Sequence, residues 1–528
     1  MPSDDLAVFS RLPIERFRLG AALLVLSAVI AFLPAISAGF IWDDNLLLTA
    51  NRQMEGISGL NQIWLGKNSC DYTPLTLTIF WLEHALWGNT PTGYHVVNIL
   101  LHALAAVLLW RNLSILRIRG SWLAALLFVI HPVNVASVAW IAELKNTLSA
   151  VLFFASLLAF LIWQERPNER LYAVSIALFA LAGLSKGAVV SLPIVLCLCI
   201  LWRNGKITGR DFFRVTPFAL VAIAVAFLTI RYQTRAPDYG LFSFDPLSRL
   251  VRAGTVVWLY LGEIFWPTKL SPMIAQWQPN LHFTITYLPA VFLVTLLAIL
   301  FWNRKSWGGP PLFVSGYYLL MLLPVLGLVW MALQQEASYA DWWQYLAAPG
   351  IFAGIAAGFC ALSDRLKTVR LSLYAMLCVA LSMLMVQTWR RGAIYGSMES
   401  YCRAVLAENS HAWALQTNLG VVLAQRGEFE QAIAHHRQAL QDNPRYMQAH
   451  NNLGNALQAL GNLRESESEF RSALKLSPFN PIVLANLADT CFAEGKIGEA
   501  LAADAEAIRM DRYNPQRYTE FGLKLAAN

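Results

Sequence analysis

Asp43 and Asp44 stand side by side just past the first long apolar run of this 528-residue chain, at the head of the longest polar excursion among its early apolar runs, Phe40 to Thr92. The same excursion carries Lys67, Asp71 and Glu83, and a second mixed stretch sets Arg231, Arg235, Asp238 and Asp245 among aromatics. Carboxylates beside ammonium and guanidinium groups supply what proton transfer and anion binding need. Lys186, within Ser185-Lys186-Gly187, interrupts an otherwise apolar stretch, where an ionisable group is costly unless it meets a partner. Far along the chain, Asn418, Asn452 and Asn486 recur in one register. A side-chain amide both donates and accepts, so a ladder of amides on one face can pair with the backbone of an extended peptide whatever its sequence.

Plainer roles compete with each of these. An aspartate pair past an apolar run also suits a helix cap, and Lys186 can reach back to an interface without binding anything. His95, His102 and His131 read most simply as core histidines that make interhelical hydrogen bonds, and the asparagines as tolerated polar positions on a solvated face. Nothing in the spacing completes a metal site around Asp43 and Asp44.

The elements that must position these groups are apolar. Hydrophobic residues make up 57% of the chain and charged residues 14%, with a mean hydropathy of +0.47, which excludes an ordinary soluble domain. Runs of spanning length fall near 19–38, 94–116, 121–141, 146–163, 214–231, 285–302, 311–331, 344–362 and 371–389, and 171–202 reads as two short spans broken at Lys186. The formal charge of +7 comes mostly from short clusters between runs, an orientation signal and not a nucleic-acid footprint. With the N-terminus cytoplasmic and the first run kept as an anchor, the clusters around Arg117, Arg166, Arg203, Arg304 and Arg365 all fall inside, provided 249–266 lies along the outer surface with Arg249, Arg252 and Glu263. About eleven spans result, with the Asp43 loop and everything after the last span outside a cytoplasmic (inner) membrane. Arg390 and Arg391 sit on the wrong side in this scheme. Seven cysteines show neither metal-ligand spacing nor an obvious pairing, so no disulfide is expected.

From Trp413 onward a 34-residue pattern takes over. Leu419-Gly420 recurs as Leu453-Gly454 and Leu487-Ala488, Gly427, Gly461 and Gly495 mark helix–helix turns, and Ala439, Ala473 and Ala507 mark close helix crossings. This is the tetratricopeptide pattern, in which stacked helix pairs bury a face that no single repeat could bury alone. Three full repeats are expected, with Tyr395–Asn409 as the second helix of a preceding unit and a terminal capping helix beginning at Phe521-Gly522. The expected architecture is all-α: a polytopic membrane domain over 1–391 and an α-solenoid of repeats over 392–528.

Phe40-Ile41-Trp42-Asp43-Asp44-Asn45, Tyr72-Thr73-Pro74-Leu75, Gly93-Tyr94-His95-Val96-Val97-Asn98, His131-Pro132-Val133, Ala139-Trp140-Ile141-Ala142-Glu143 and Leu184-Ser185-Lys186 resemble, in this order, the membrane glycosyltransferases of the GT-C class. Among these, the chain is most similar to the transmembrane and tetratricopeptide-repeat-containing O-mannosyltransferases and their bacterial relatives. The resemblance implies transfer of a sugar from a polyprenyl-phosphate carrier to serine or threonine on the non-cytoplasmic side, with the repeats holding the acceptor protein. It places the base at Asp43 or Asp44 and cations for the lipid phosphate at Lys186, Arg231, Arg235 and Lys145, with His131 beside them. The lipid-linked sugar is then a substrate; no cofactor is implied, and a divalent metal is left open. The chain departs from the pattern at Asn134, Ala136, Leu144 and Trp342, where relatives carry histidine, glutamate, arginine and histidine. Those departures suit the alternative reading, a non-catalytic membrane-anchored scaffold for an envelope complex.

Overall fold

A computed structural model describes residues 14–66, 71–234, 245–268, 270, 272–275, 277, 279–328, 337–511 and 515–526. It is 82% helical with almost no strand. The chain divides into two compact units, Met1–Ser397 and Met398–Asn528.

The first unit is built from the apolar runs. Proline stands in the first turn of the helices Pro74–Trp87, Pro91–Ile115, Leu192–Asn204 and Pro246–Phe265, where its fixed φ suits a helix and its missing N–H has no partner to lose. Thr208 and Asp211 close a reciprocal capping box on Gly209–Gln233. Among the described residues, six helices are long and apolar enough to cross a membrane, or seven if one bent pair counts as a span. Where described, the eleven runs read from the sequence are mostly helical, but proline shortens several. The run 121–141 is two helices bent by 57° at His131-Pro132, and 311–331 ends as a helix at Leu322, ahead of Pro324. The break expected at Lys186 is present: Glu169–Ser185 ends there, Lys186 is extended, and a 3₁₀ turn leads into Leu192–Asn204.

Two helices show which solvent this unit needs. Thr284–Trp302 leaves Val291, Phe292, Val294 and Phe301 exposed, and Lys367–Gly396 leaves Leu371, Met376, Val379 and Met383 exposed. In water such patches drive aggregation, whereas in lipid they are satisfied. Pro246–Phe265 packs against the rest of the first unit. Its charges Arg252 and Glu263 are buried beside Val251, Val256, Val257 and Ile264, while Leu247, Leu250 and Phe265 are exposed. Among the described residues, a short antiparallel ribbon, β1 (Met273–Ala275) with β2 (Ala337–Ala340), is the one addition to the all-α reading, and it leads directly into the 3₁₀ turn Asp341–Gln344.

The second unit is the expected solenoid. Met398–Glu408 precedes the helix pairs Trp413–Gln425 with Phe429–Asp442, Met447–Ala459 with Leu463–Leu476, and Pro481–Ala493 with Ile497–Met510. Gly427, Gly461 and Gly495 turn each pair with φ between +78° and +81°, a conformation that costs glycine nothing. The glycine of each Leu-Gly pair serves close packing instead: a Cβ on Gly454 would lie 2.7 Å from the Phe470 ring. The last helix, Pro515–Ala526, starts six residues before Phe521. Arg391 is buried in the first unit, and its helix runs on to a 3₁₀ turn at Ala393–Gly396.

Candidate functional site

The site begins at the turn Ile41–Asp44. Trp42 holds φ +42°, a left-handed conformation that bulky residues rarely take, and this turns the following carboxylates back toward the protein. Asp44 is fully buried; its Oδ2 accepts from the Ile41 N–H at 2.9 Å and its Oδ1 from the Ala142 N–H at 2.7 Å. The Trp140 side chain also hydrogen-bonds this carboxylate. Both oxygens are therefore committed, and Asp44 acts as a staple between the first loop and the turn Ile141–Glu143. The capping role that competed for this pair is realised here on backbone amides of that turn and of its own, and not on the helix Asn45–Thr49.

The staple sets Asp43 beside the start of helix Leu144–Glu165. Asp43 is half-buried, and burial raises its carboxyl above the ordinary 3.8, opposed by the nearby Lys145 ammonium and reinforced by Glu143. Lys145 Nζ lies 3.2 Å from Glu143 Oε1, and Asn146 Nδ2 donates to Glu143 Oε2 at 2.6 Å. Lys186 Nζ donates to Asn146 Oδ1, while Thr76 Oγ1 donates to the Ser185 carbonyl at 3.0 Å and ties down the break that carries the lysine. Asp71 acts on the charges of both lysines. Three carboxylates and two ammonium groups from four separate segments thus share one place. That arrangement offers an accessible carboxylate as proton acceptor and two cations for an anionic ligand.

Of the expected site residues, Asp43, Lys145 and Lys186 are brought together. Arg231 is exposed in the last turn of Gly209–Gln233, and among the described residues its side chain makes no hydrogen bond or ion pair with the cluster; Arg235 lies outside the described residues. His131 is corrected to a core residue. Its Nδ1 accepts from the Val133 N–H at 3.3 Å and its Nε2 faces the Ile264 carbonyl at 3.0 Å, which leaves no ring atom for a donor. His102 is engaged in the same way, by Tyr345 and the Val129 carbonyl. Two of the departures serve packing: Asn134 donates to the Phe128 carbonyl at 2.7 Å, and the Trp342 ring meets Trp140 edge-on at 5.2 Å.

Sequence reasoning missed Asn146, which connects Glu143 to Lys186, and it misread Arg391. That arginine is no orientation signal: it is buried in an ion pair with Asp341 and donates to the Leu270 carbonyl. The signal available was its conflict with every other basic cluster.

In the repeats, Asn418, Asn452 and Asn486 are all half-buried at equivalent places. The ladder is uneven. Asn486 donates to Asn451 at 2.9 Å, and Asn451 donates to Asn452 at 3.2 Å, so one extra amide bridges the second and third repeats. Thr417 and Ala485 occupy the position of Asn451 in the other repeats. Among the described residues, the acidic and thiol groups close enough to share a metal ion are Glu467, Cys491 and Glu499, and Arg471 and Lys496 already hold those carboxylates.

Two family profiles match, one described as TPR repeat over residues 420–461 and one as tetratricopeptide repeat over 451–515. The human protein O-mannosyl-transferase TMTC4 is 30% identical over 191 residues, which cover 31% of this chain and 26% of that protein. The Drosophila melanogaster protein O-mannosyl-transferase Tmtc1 is 31% identical over 157 residues, 27% of this chain and 18% of that protein. The mouse protein O-mannosyl-transferase TMTC3 is 26% identical over 189 residues, 33% of this chain and 20% of that protein. The chain spans about a quarter or less of the length of these relatives. It is thus an all-α chain with membrane-crossing helices and C-terminal tetratricopeptide repeats, similar over about a third of its length to proteins named protein O-mannosyl-transferases.

Proposed function

We propose that this chain is a membrane glycosyltransferase of the GT-C kind that moves a hexose, mannose being the first to test, from a polyprenyl-phosphate carrier to serine or threonine of a protein. The reaction takes place on the non-cytoplasmic side of a cytoplasmic membrane, and the repeats bind the acceptor protein in the same compartment. Asp43 accepts the hydroxyl proton as the acceptor oxygen attacks the anomeric carbon; the bond from that carbon to the phosphate oxygen breaks, and the lipid phosphate departs between Lys145 and Lys186. A serine hydroxyl is a poor nucleophile without such a base, and the departing phosphate needs cations. The observation that carries the reading is the convergence of Asp43, Lys145 and Lys186 at one place, in a chain similar to proteins named protein O-mannosyl-transferases.

The test is sugar transfer by the full chain in proteoliposomes, from polyprenyl-phosphate mannose to a serine-rich protein. Asp43→Asn should lower the rate ~10²–10⁴-fold, the usual worth of a positioned base. A wild-type chain that transfers no sugar and co-purifies with one partner at fixed stoichiometry would establish the scaffold reading instead.

A further inference from the structure

Arg391 and Asp341 form a buried ion pair that the proposed chemistry does not use. Their relative exposures are 7% and 0%. Two charges so far from water need a reason, because desolvation offsets much of their attraction. The reason lies one residue on, in the 3₁₀ turn Asp341–Gln344. Arg391 holds its first residue, the Gln344 amide donates to Glu263 Oε2 at 2.7 Å at its last, and the Tyr260 hydroxyl donates to the Ala340 carbonyl at 2.8 Å just before it.

Between these anchors sits the Trp342 carbonyl, which accepts from Asn146 Nδ2 at 3.4 Å. The same Nδ2 faces Ser137 Oγ at 3.0 Å and Glu143 Oε2 at 2.6 Å. An amide whose nitrogen faces a carboxylate and a carbonyl cannot turn over, since its own oxygen would then meet two oxygens with no proton to share. Its Oδ1 is therefore directed at Lys186.

We infer that Arg391 and Asp341 are positioning residues, acting through the Trp342 carbonyl and the Asn146 amide to aim Lys186 at the place where the leaving phosphate is held. The inference rests on the functional reading for the phosphate, but the aim of Lys186 stands as geometry whatever the ligand. It also explains why a basic residue lies where orientation rules do not want one.

The experiment measures acylation of Lys186 by a small amine-reactive reagent on the full chain in nanodiscs, read by mass spectrometry, with thiol labelling of the buried Cys199 as a sentinel for unfolding. Asn146→Ala sets the signal of a released lysine. Asp341→Asn should raise Lys186 labelling about fivefold, the change that loss of one hydrogen bond of ~1 kcal/mol gives, with Cys199 still protected. Arg391→Lys, which keeps the charge, should give an intermediate rate and serves if Asp341→Asn fails to fold. In the transfer assay Asp341→Asn should lower kcat more than it raises the acceptor KM. Labelling of Lys186 that stays at the wild-type rate in both variants, while Asn146→Ala raises it, overturns the inference. A wild-type chain without transfer sinks the functional reading and leaves the labelling result to judge this one.

Discussion

Asn in place of either Asp43 or Asp44 removes a carboxylate from the same turn, yet the two substitutions should do opposite things. In Asp44→Asn the new NH₂ must face either the Ile41 or the Ala142 N–H, which now lie 2.9 and 2.7 Å from acceptor oxygens. One buried N–H is left facing a donor, which costs about 1–3 kcal/mol. A cost of about 2–3 kcal/mol in a unit of this size lowers an apparent melting midpoint by roughly 2–5 °C. Asp43→Asn breaks no such bond and removes a carboxylate that burial already penalises, so its midpoint should move by less than that of a typical core change, within about 1 kcal/mol. Transfer should behave in reverse, with Asp43→Asn slowed ~10²–10⁴-fold though well folded, and Asp44→Asn keeping most of its activity at temperatures below its lowered midpoint. Differential scanning fluorimetry and transfer assays on the same detergent-purified full chain provide both readings. Equal midpoints for the two variants, or full activity in Asp43→Asn, would refute the division into base and staple.

Other consequences concern pH and the repeats. Burial raises the Asp43 carboxyl, and a base works only when ionised, so transfer should fall as pH drops through that raised value, and the residual rate of Asp43→Asn should lack this limb. Gly454→Ala drives a Cβ to 2.7 Å from Phe470 and should cost ~1–3 kcal/mol of repeat stability, whereas Gly461→Ala meets no atom within 4 Å and costs only the strain of φ +79°, about 1 kcal/mol; hydrogen exchange in Met447–Ala459 separates them. Glu469 accepts from His450 at 2.6 Å and raises the imidazole above the ordinary 6.5, so this contribution to the fold is complete below that value and disappears as pH rises through the folded one; exchange of the same helix should speed up accordingly, and Glu469→Gln should abolish the effect. Replacing Asn418, Asn452 and Asn486 together by Ala should raise KM for a protein acceptor and leave kcat near wild type. An unchanged KM would exclude the ladder from acceptor binding.

How much of this was legible in the residues depends on how local each feature is. The helix pairs of the solenoid, their turns and their glycines follow from a 34-residue register, because each repeat packs on its neighbour in the same way. The break at Lys186 was legible too, since Ser185-Lys186-Gly187 interrupts an apolar run whatever surrounds it. Spans were harder: composition marks apolar length, but Pro132 and Pro324 decide where the helix stops, and only packing shows that Arg252 and Glu263 are buried. The candidate site was legible as an inventory, with Asp43, Lys145 and Lys186 all chosen, though without the Asn146 amide, which joins Glu143 to Lys186.

The sequence by itself determined that the chain is helical, lipid-compatible in its first part and repetitive in its second, because periodicity and hydropathy act through neighbours a few residues apart. Tertiary structure alone decided which aspartate is free and which is spent on the Ala142 amide, that His131 belongs to the core, and that Arg391 turns inward to Asp341. Those outcomes depend on contacts between segments 50 to 133 residues apart, where packing against a specific partner settles whether a polar group is satisfied or left available.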